Sequence, residues 1–312
     1  MIKINRRKFV TNTAASAAGL VLGSRLMGFT SKEEARVSDT ESRKKDLMRE
    51  VIKYRKIDSH AHVFFNSMNS PEFELDFANR LGIDRLMISK FMSRASKATP
   101  EVFRESNDIA IKCMKQHPDK LIGTMVFNVT YQKESLEEID RCVDAGMVGA
   151  GELYTQVKIN DPLYYPIIEK FIDLKMIMMQ HSIANYSQVK LFHREPKGGS
   201  LPEDFVDIAK RYPQAMFQYA HIGGGIDWEY ACKALKDSPN VYVDVSGSNN
   251  VANMIDFAMK YIGEDRLLFG CDGSFYQGVG HMFSAKLTDA QRRKIFFENY
   301  NNILKKSGNN VN

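Results

Sequence analysis

Two histidines close the apolar run Ile57–His62, whose sequence is IDSHAH. On a β-strand, successive side chains point to opposite faces, so His60 and His62 would project to the same side, about 7 Å apart. This spacing suits chelation, because neutral imidazole is a common ligand of zinc and similar divalent metals. The hexapeptide alone leaves a second interpretation open, namely two unrelated histidines at a surface or at the edge of a core.

The elements that must position these histidines follow from the hydrophobic pattern. From Lys56 onward, short runs of apolar or β-branched residues alternate with longer stretches of helical periodicity. Strands are predicted at Lys56–His62, Arg85–Ser89, Leu121–Asn128, Met147–Leu153, Met176–His181, Ala215–Ala220, Val241–Val245 and Leu267–Cys271. Helices are predicted at Pro71–Leu81, Pro100–Gln116, Ser135–Ala145, Pro162–Leu174, Pro202–Arg211, Asp227–Lys236, Val251–Ile262 and Thr288–Phe297.

Eight strand and helix units predict an α/β fold of the (β/α)8 TIM-barrel type rather than an open doubly wound sheet. The sequence has no G-x-G-x-x-G before the first helix and no G-K-S or G-K-T phosphate loop, which argues against the open sheet. The length of 312 residues and the 44% hydrophobic content suit one such barrel.

Ionisable residues cluster at the C-terminal ends of the predicted strands. They are His60 and His62 on strand one, Glu152 on strand four, His181 on strand five, His221 after strand six and Asp272 after strand eight. In a barrel these ends converge on one mouth, where active sites are built, so residues distant in sequence can share a metal. Taken singly, each has a structural alternative, such as a hydrogen-bonded histidine or a helix N-cap. Their joint placement favours a metal site.

With this arrangement the chain resembles the amidohydrolase superfamily, specifically the amidohydrolase-related group that includes aminocarboxymuconate semialdehyde decarboxylase-like enzymes. The resemblance covers residues 54–305 and rests on Ile57–His62, Gln180–His181, Ala220–Gly224, Val241–Ser246, Leu268–Asp272 and a closing helix around Asn299–Leu304. It implies a metal-dependent TIM barrel whose metal ligands are His60, His62, His181 and Asp272. It also implies that His221 is either a ligand of a second metal or a catalytic histidine beside a single metal.

Glu152 decides between one metal and two. Many members of the superfamily have a bridging anion at the end of strand four, because two cations a few ångströms apart need a shared negative charge. The segment Gly149–Glu152 puts a carboxylate near that position, and a bridging role favours hydrolysis. A surface or substrate-orienting carboxylate is the alternative.

The function that this resemblance implies is hydrolysis of an amide, cyclic amide, lactone or ester carbonyl. One or two divalent ions, preferably zinc, would lower the pKa of water, Asp272 would accept its proton and His221 would stabilise the developing oxyanion. A decarboxylase of the same fold is the nearest alternative, and a non-catalytic exported binding protein is a more distant one. The partner is then a small-molecule substrate, and a homo-oligomer is left open.

Several residues in the predicted loops could line the mouth. His193 and Arg194 lie in a segment after strand five that could cover the mouth, and His281 lies in a predicted loop at Gly278–Phe283. Aromatic candidates at the mouth are Phe64, Phe65, Tyr154 and Tyr276, and Gly223–Gly225 is predicted to form a tight turn. These residues do not identify the substrate.

The N-terminus predicts export. Arg6 and Arg7 precede Phe9 and Val10, and the weakly apolar run Ala14–Leu22 is too short to span a bilayer. The sequence therefore predicts a twin-arginine signal peptide over residues 1–30 and a periplasmic protein, with a disordered basic tail or an uncleaved anchor as alternatives. A charged linker (31–53), the barrel (54–305) and a polar tail (306–312) would follow.

The charge and the cysteines narrow the class further. The net charge of +5 comes from five basic residues among the first thirty, so the remainder is neutral, without the basic stripe that nucleic acid binding needs. The mature protein is expected to have no stable membrane span. Cys113, Cys142, Cys232 and Cys271 show no C-x-x-C spacing and do not suggest a disulfide framework, although a single pair between Cys113 and Cys142 is left open.

Overall fold

The computed structural model describes residues 47–63, 71–90, 92, 98–154, 157–183, 199–222, 228–247 and 251–312. The chain divides into two compact units, Met1–Glu50 and Val51–Asn312. In the first unit, residues 47–50 are helical. The predicted signal peptide and most of the predicted linker lie outside the described residues.

The second unit is built on parallel strands in the predicted order. They are β1 (Ile57–Val63), β2 (Arg85–Lys90), β3 (Leu121–Gly123), β4 (Gly149–Leu153), β5 (Ile177–His181), β6 (Met216–Ala220), β7 (Val241–Asp244) and β8 (Leu267–Leu268). The strands pair in the orders β1-β2-β3 and β4-β5-β6-β7-β8, and every pairing is parallel. Strands β4, β5 and β6 are buried at every residue, as expected for a sheet covered on both faces.

Backbone hydrogen bonds close the two sheets into a barrel. Met125, just beyond β3, forms a parallel bridge with Ala150 of β4. On the other side, the Ser59 N–H donates to the Phe269 carbonyl at 2.9 Å and the Asp272 N–H donates to the His60 carbonyl at 2.8 Å. These bonds join the segment after β8 to β1, and the predicted (β/α)8 barrel is confirmed.

Helices follow the strands in alternation. They are α1 (Glu72–Leu81), α2 (Pro100–Gln116), α3 (Gln132–Asp144), α4 (Tyr165–Leu174, preceded by a 3-10 turn at Pro162–Tyr164), α5 (Pro202–Arg211), α6 (Trp228–Ala234), α7 (Met254–Tyr261), α8 (Phe275–Ser284), α9 (Asp289–Arg293) and α10 (Asn299–Lys306). Prolines stand in the first turn of α2, α4 and α5, where a missing N–H costs nothing. Residues Lys294–Glu298 form a π-helical segment that joins α9 to α10.

The third strand is shorter than predicted because a side chain takes the place of its inter-strand hydrogen bonds. The prediction ran from Leu121 to Asn128, but β3 ends at Gly123. At Val126, the backbone N–H donates to Asn107 Oδ1 at 2.8 Å and the carbonyl accepts from Asn107 Nδ2 at 2.9 Å. The amide of a helix α2 residue thus satisfies the backbone that a longer strand would pair.

The predicted loop at Gly278–Phe283 is wrong, because these residues belong to helix α8. Gly278 lets the helix approach the strand end closely, since an added Cβ would lie 3.1 Å from the Gly270 carbonyl oxygen and 3.2 Å from Cys271 Sγ. His281 therefore lies in the last turn of α8, and Tyr276 lies in the first turn, with 58% of its surface exposed.

The floor of the barrel is apolar and is covered by the last helix. Ile57, Leu268, Tyr300, Ile303 and Leu304 belong to one buried cluster that joins α10 to the starts of the strands. Val311 of the polar tail also packs there, because Asn301 bonds to both its N–H and its carbonyl. The floor thus contains the apolar side chains, and the polar residues lie at the opposite end.

All four cysteines are buried free thiols, so a disulfide between Cys113 and Cys142 is not formed. The Cys142 thiol instead donates to Glu138 Oε1 at 3.4 Å. None of the helices in the described parts of the chain has the length and apolar character that a membrane span requires.

Candidate metal centre

The six predicted site residues meet at the mouth of the barrel. His60 and His62 lie on β1, Glu152 on β4 and His181 at the end of β5, while His221 follows β6 and Asp272 lies four residues beyond β8. The structure brings all of them together in two overlapping groups, in each of which the possible ligand atoms lie within 4.8 Å of one another.

The β1 histidines face each other as the strand alternation predicted. Their Nε2 atoms are 3.1 Å apart and both side chains are fully buried. If each ring carries its proton on Nδ1, both Nε2 lone pairs point into the same space. Such lone pairs repel unless a cation lies between them, so this pair fits a metal ion.

The first group adds two carboxylates to this pair. Glu152 Oε2 lies 3.6 Å from His60 Nε2 and 3.5 Å from His62 Nε2. Asp272 Oδ1 lies 3.7 Å and 3.3 Å from the same two atoms. Two imidazole nitrogens and two carboxylate oxygens form a donor set that suits zinc or manganese.

The second group shares Glu152 with the first. Its other oxygen, Oε1, lies 2.7 Å from His181 Nδ1 and 3.6 Å from His221 Nε2. Asp272 Oδ2 lies 3.5 Å from His221 Nε2. Glu152 therefore extends one oxygen toward each pair of histidines, whereas Asp272 extends one oxygen toward the β1 pair and the other toward His221.

Backbone constraints hold both carboxylates in place. Gly151, which precedes Glu152, has φ +120°, and a Cβ there would clash with the backbone oxygen of Met179. Only glycine fits this close approach. Asp272 has φ +46°, an unusual conformation for a residue other than glycine, and its N–H is bound to the His60 carbonyl. Such backbone conformations are frequent at functional sites.

The buried carboxyl group of Asp58 joins β1 to the segment that follows β8. Its Oδ1 accepts from the backbone N–H groups of His60 at 3.1 Å and Cys271 at 2.9 Å. Burial raises the pKa of Asp58 to about 7.

The electrostatics of the site favour a bound cation. Burial raises the pKa of Glu152, but His181 and His60 outweigh it and hold that pKa well below its usual value. Burial likewise lowers the pKa of His60, and the charges of Asp244, Asp272 and Glu152 outweigh it, so the pKa of His60 lies well above its usual value. Several ionised carboxylates thus converge on buried imidazoles, and a divalent cation would neutralise them.

Sequence reasoning gave no role to the residues behind the histidines. Asp244 Oδ2 lies 3.2 Å from His60 Nδ1, and Ser89 Oγ lies 3.1 Å from His62 Nδ1. The motif Val241–Ser246 contains Asp244, and its position at the end of β7 was the signal that could have identified it.

The predicted mouth residues have different outcomes. Tyr154 lies against the imidazole of His181, with ring centroids 4.3 Å apart, as an aromatic lining residue should. Tyr276 stacks edge-on against Phe77 of α1, at 5.1 Å. Phe64, Phe65, His193, Arg194 and Gly223–Gly225 lie outside the described residues.

A family model described as Amidohydrolase matches residues 57–299, and the chain therefore belongs to the amidohydrolase family. It is an enzyme of the amidohydrolase superfamily, and the barrel described above is the fold of its structural neighbours. None of the curated proteins compared with the chain matches it.

Solved structures share the fold at low sequence identity. A 2,6-dihydroxybenzoate decarboxylase from Rhizobium matches with a TM-score of 0.64 and 17% identity, over 82% of this chain and 100% of that one. A dihydroxybenzoic acid decarboxylase from Polaromonas, with bound manganese and an inhibitor, matches with a TM-score of 0.64 and 17% identity, over 81% and 97%. A 4-oxalomesaconate hydratase from Rhodopseudomonas palustris matches with a TM-score of 0.62 and 16% identity, over 80% and 96%.

Proposed function

We propose that this protein is a metal-dependent hydrolase that acts on the carbonyl carbon of an amide, cyclic amide, lactone or ester. One observation carries the proposal. The two oxygens of Glu152 face different pairs of histidines, His60 with His62 and His181 with His221. A carboxylate so placed suits a bridge between two cations, as in two-metal sites that activate water.

The donor atoms divide between two metal positions. His60, His62, Glu152 and Asp272 would hold the first ion, and Glu152, His181 and His221 would hold the second. Zinc suits this set of imidazole and carboxylate donors. A divalent ion held there would lower the pKa of water and polarise a carbonyl oxygen.

Asp272 is the residue placed to move the proton. Its side chain is 24% exposed, whereas that of Glu152 is 3% exposed, so Asp272 is the carboxylate that a substrate can reach. Burial raises its pKa, but His60, His62 and His221 outweigh this and lower the pKa below its usual value. Asp272 is therefore ionised at neutral pH, accepts a proton from water and can return it to the leaving group.

His221 is the histidine placed to act on the substrate oxygen. Its side chain is 11% exposed, and its Nε2 lies 3.5 Å from Asp272 Oδ2. In a site that holds only the first ion, His221 Nε2 is not a ligand, and when protonated it would stabilise negative charge that develops on the carbonyl oxygen. Tyr154 and His181 would then form one wall of the substrate pocket, since their rings are in contact.

Decarboxylation is the second candidate, because decarboxylases are among the solved structures that share this fold. In that case a single metal would orient an unsaturated carboxylic acid, and His221 would transfer the proton that replaces carbon dioxide. Incubation of the zinc-loaded enzyme with panels of lactones, amides, esters and aromatic acids in ¹⁸O-labelled water separates the two. Incorporation of label into a carboxylate product supports hydrolysis, whereas unlabelled product with release of carbon dioxide supports the lyase. A protein that binds no metal and turns over neither panel would be a binding protein.

We also propose export to the periplasm. Arg6 and Arg7, followed by an aromatic and an aliphatic residue, support a twin-arginine route. This route is used by proteins that fold before they cross the membrane, which agrees with a metal centre assembled from six distant residues.

A further inference from the structure

We propose that Asp244 is a positioning residue that fixes the proton of His60 on Nδ1 and so leaves the Nε2 lone pair free for a metal. The inference rests on the proposed metal centre, and it assigns a role to a residue outside both groups of ligand atoms. Asp244 ends strand β7 and is fully buried in the interior of the barrel.

Asp244 is held by donors on both of its oxygens. Gln218 Nε2 donates to Oδ2 at 2.9 Å. The N–H and the hydroxyl of Ser246 donate to Oδ1 at 3.0 Å and 2.5 Å. A buried carboxylate needs such partners to remain ionised. These three bonds come from Gln218 and Ser246, which are outside both groups of possible ligands.

The position of the His60 proton follows from the direction of these bonds. Two oxygens face His60 Nδ1, Asp244 Oδ2 and Ser246 Oγ, each at 3.2 Å. Because Ser246 has given its one hydroxyl proton to Asp244 Oδ1, both of these oxygens can only accept from the ring. The proton must therefore be on Nδ1. The Nε2 atom, on the side of His62 and Asp272, is then left as a ligand.

The other histidine of the β1 pair faces a hydroxyl group on its Nδ1 side. His62 Nδ1 faces the hydroxyl of Ser89 at 3.1 Å, and a hydroxyl can donate or accept. Ser89 is therefore compatible with either tautomer of His62, whereas a carboxylate enforces one. A carboxylate also raises the basicity of the imidazole that it orients, and loss of such partners typically weakens metal binding about 10–100-fold. Within the β1 pair, His60 is the histidine whose Nδ1 faces a carboxylate.

The test compares Asp244→Asn with Ser89→Ala and Ser246→Ala. Asparagine has nearly the same shape, but its amide can donate to Nδ1 and would move the ring proton to Nε2. Folding of each variant is checked by circular dichroism, and zinc affinity is measured by competition with a chromophoric chelator. We expect the zinc dissociation constant to rise about 10–100-fold in Asp244→Asn and less than about 10-fold in Ser89→Ala and Ser246→Ala.

A second measurement reports the tautomer without any metal. ¹⁵N NMR spectra are recorded on the metal-free protein at a pH where the ring is neutral, and the His60 signals are assigned by their loss in His60→Gln. The spectra should show Nδ1–H in the wild type and in Ser246→Ala. They should show Nε2–H in Asp244→Asn. If Asp244→Asn does not fold, the wild-type spectrum alone decides.

Two results would overturn the proposal. One is an Nε2–H tautomer in the wild type. The other is an unchanged tautomer in Asp244→Asn, with or without a change in zinc affinity. If that variant also lost one zinc per chain, Asp244 would be a metal ligand rather than a positioning residue. A wild type with Nδ1–H that binds no zinc would refute the metal centre and leave the positioning of His60 intact.

Discussion

Glu152 Oε1 lies 2.7 Å from His181 Nδ1, so one oxygen of this buried carboxylate is committed to strand β5. Its other oxygen faces the histidines of β1 at 3.5 Å and 3.6 Å. Since the two oxygens serve different partners, loss of the charge at Glu152 should affect both sides of the site together.

The first prediction is that Glu152→Gln lowers the metal content from about two ions to about one. Glutamine keeps the side-chain shape but removes the charge that offsets repulsion between two cations. The remaining ion should be held by His60, His62 and Asp272. Activity should fall by orders of magnitude, because a shared site for activated water is lost. Elemental analysis of the purified protein measures the metal content.

Glu105→Gln, an exposed change on α2, is the matched control and should leave the metal content and activity unchanged. A wild type that saturates at one metal, with Glu152→Gln also at one, would contradict the bridge. The decarboxylase would then become the leading candidate, with His221 as its acid and base.

The second prediction is that His60→Ala or His62→Ala abolishes metal binding and activity while the barrel stays folded. Both side chains lie at the catalytic end of the barrel, whereas the apolar floor is formed by residues such as Tyr300 and Leu304. Metal content and circular dichroism are measured together. His117→Ala is the control, because this histidine ends α2 and faces Glu72 at 3.6 Å. Full metal occupancy in the double alanine variant would refute the site.

The sequence predicted the strands well, because parallel strands buried on both faces appear as short apolar runs. It also predicted which residues meet at the mouth, since all six lie at strand ends. The prediction failed where a side-chain hydrogen bond or a close approach of two backbone segments overrode the hydrophobic pattern. Asn107 shortens β3 by bonding to Val126, and Gly278 lies in a helix, where the missing side chain allows a close approach to Gly270.

The details of the site could not be read from the pattern for a different reason. A carboxylate at a strand end can bridge, bind one metal or orient a histidine, and only distances separate these roles. Glu152 faces two pairs of histidines, whereas Asp244 faces the rear of His60. Sequence alone predicted an uncertain role for the first and none for the second.

The third prediction concerns export. Replacing Arg6 and Arg7 together by lysine retains the charge but changes the arginine identity, so the precursor should stay in the cytoplasm. Cell fractionation with immunodetection measures the distribution, and Lys3→Arg, a change outside the pair, should be exported normally. Undiminished periplasmic protein in the double variant would show that the twin arginine is not the signal.

The fourth prediction is that metal binding strengthens with rising pH and releases protons. Burial opposes the charge on His60, but the surrounding carboxylates raise its pKa well above the usual 6.5, so the metal-free ring is protonated at neutral pH. A metal must displace that proton. Each displaced proton gives about a tenfold gain in apparent affinity per pH unit, up to the raised pKa of His60. Calorimetry in two buffers of different ionisation enthalpy counts the protons, and a pH-independent affinity would contradict the prediction.

Lys56 gives the last prediction, which concerns stability. Its side chain is fully buried, and its Nζ donates to the carbonyls of Val51 at 2.5 Å and Tyr54 at 2.8 Å, with the ring of Phe296 5.2 Å away. Burial lowers the pKa of Lys56 from 10.5 to about 8.

Between these two pH values the unfolded chain binds a proton that the folded chain does not. The free energy of unfolding should therefore rise with pH from about 8 to about 10.5, and the contribution of Lys56 should be constant below pH 8. The size of this rise is at most about 3.5 kcal/mol, since one pKa unit corresponds to about 1.4 kcal/mol. Urea unfolding of the wild type and of Lys56→Met, each with a chelator, measures this rise as the difference in the free energy of unfolding between the two proteins. The other lysines and the tyrosines titrate equally in both proteins, so their contributions cancel. Stability curves that run parallel from pH 7.5 to 10.5 would show that the buried ammonium does not govern this dependence.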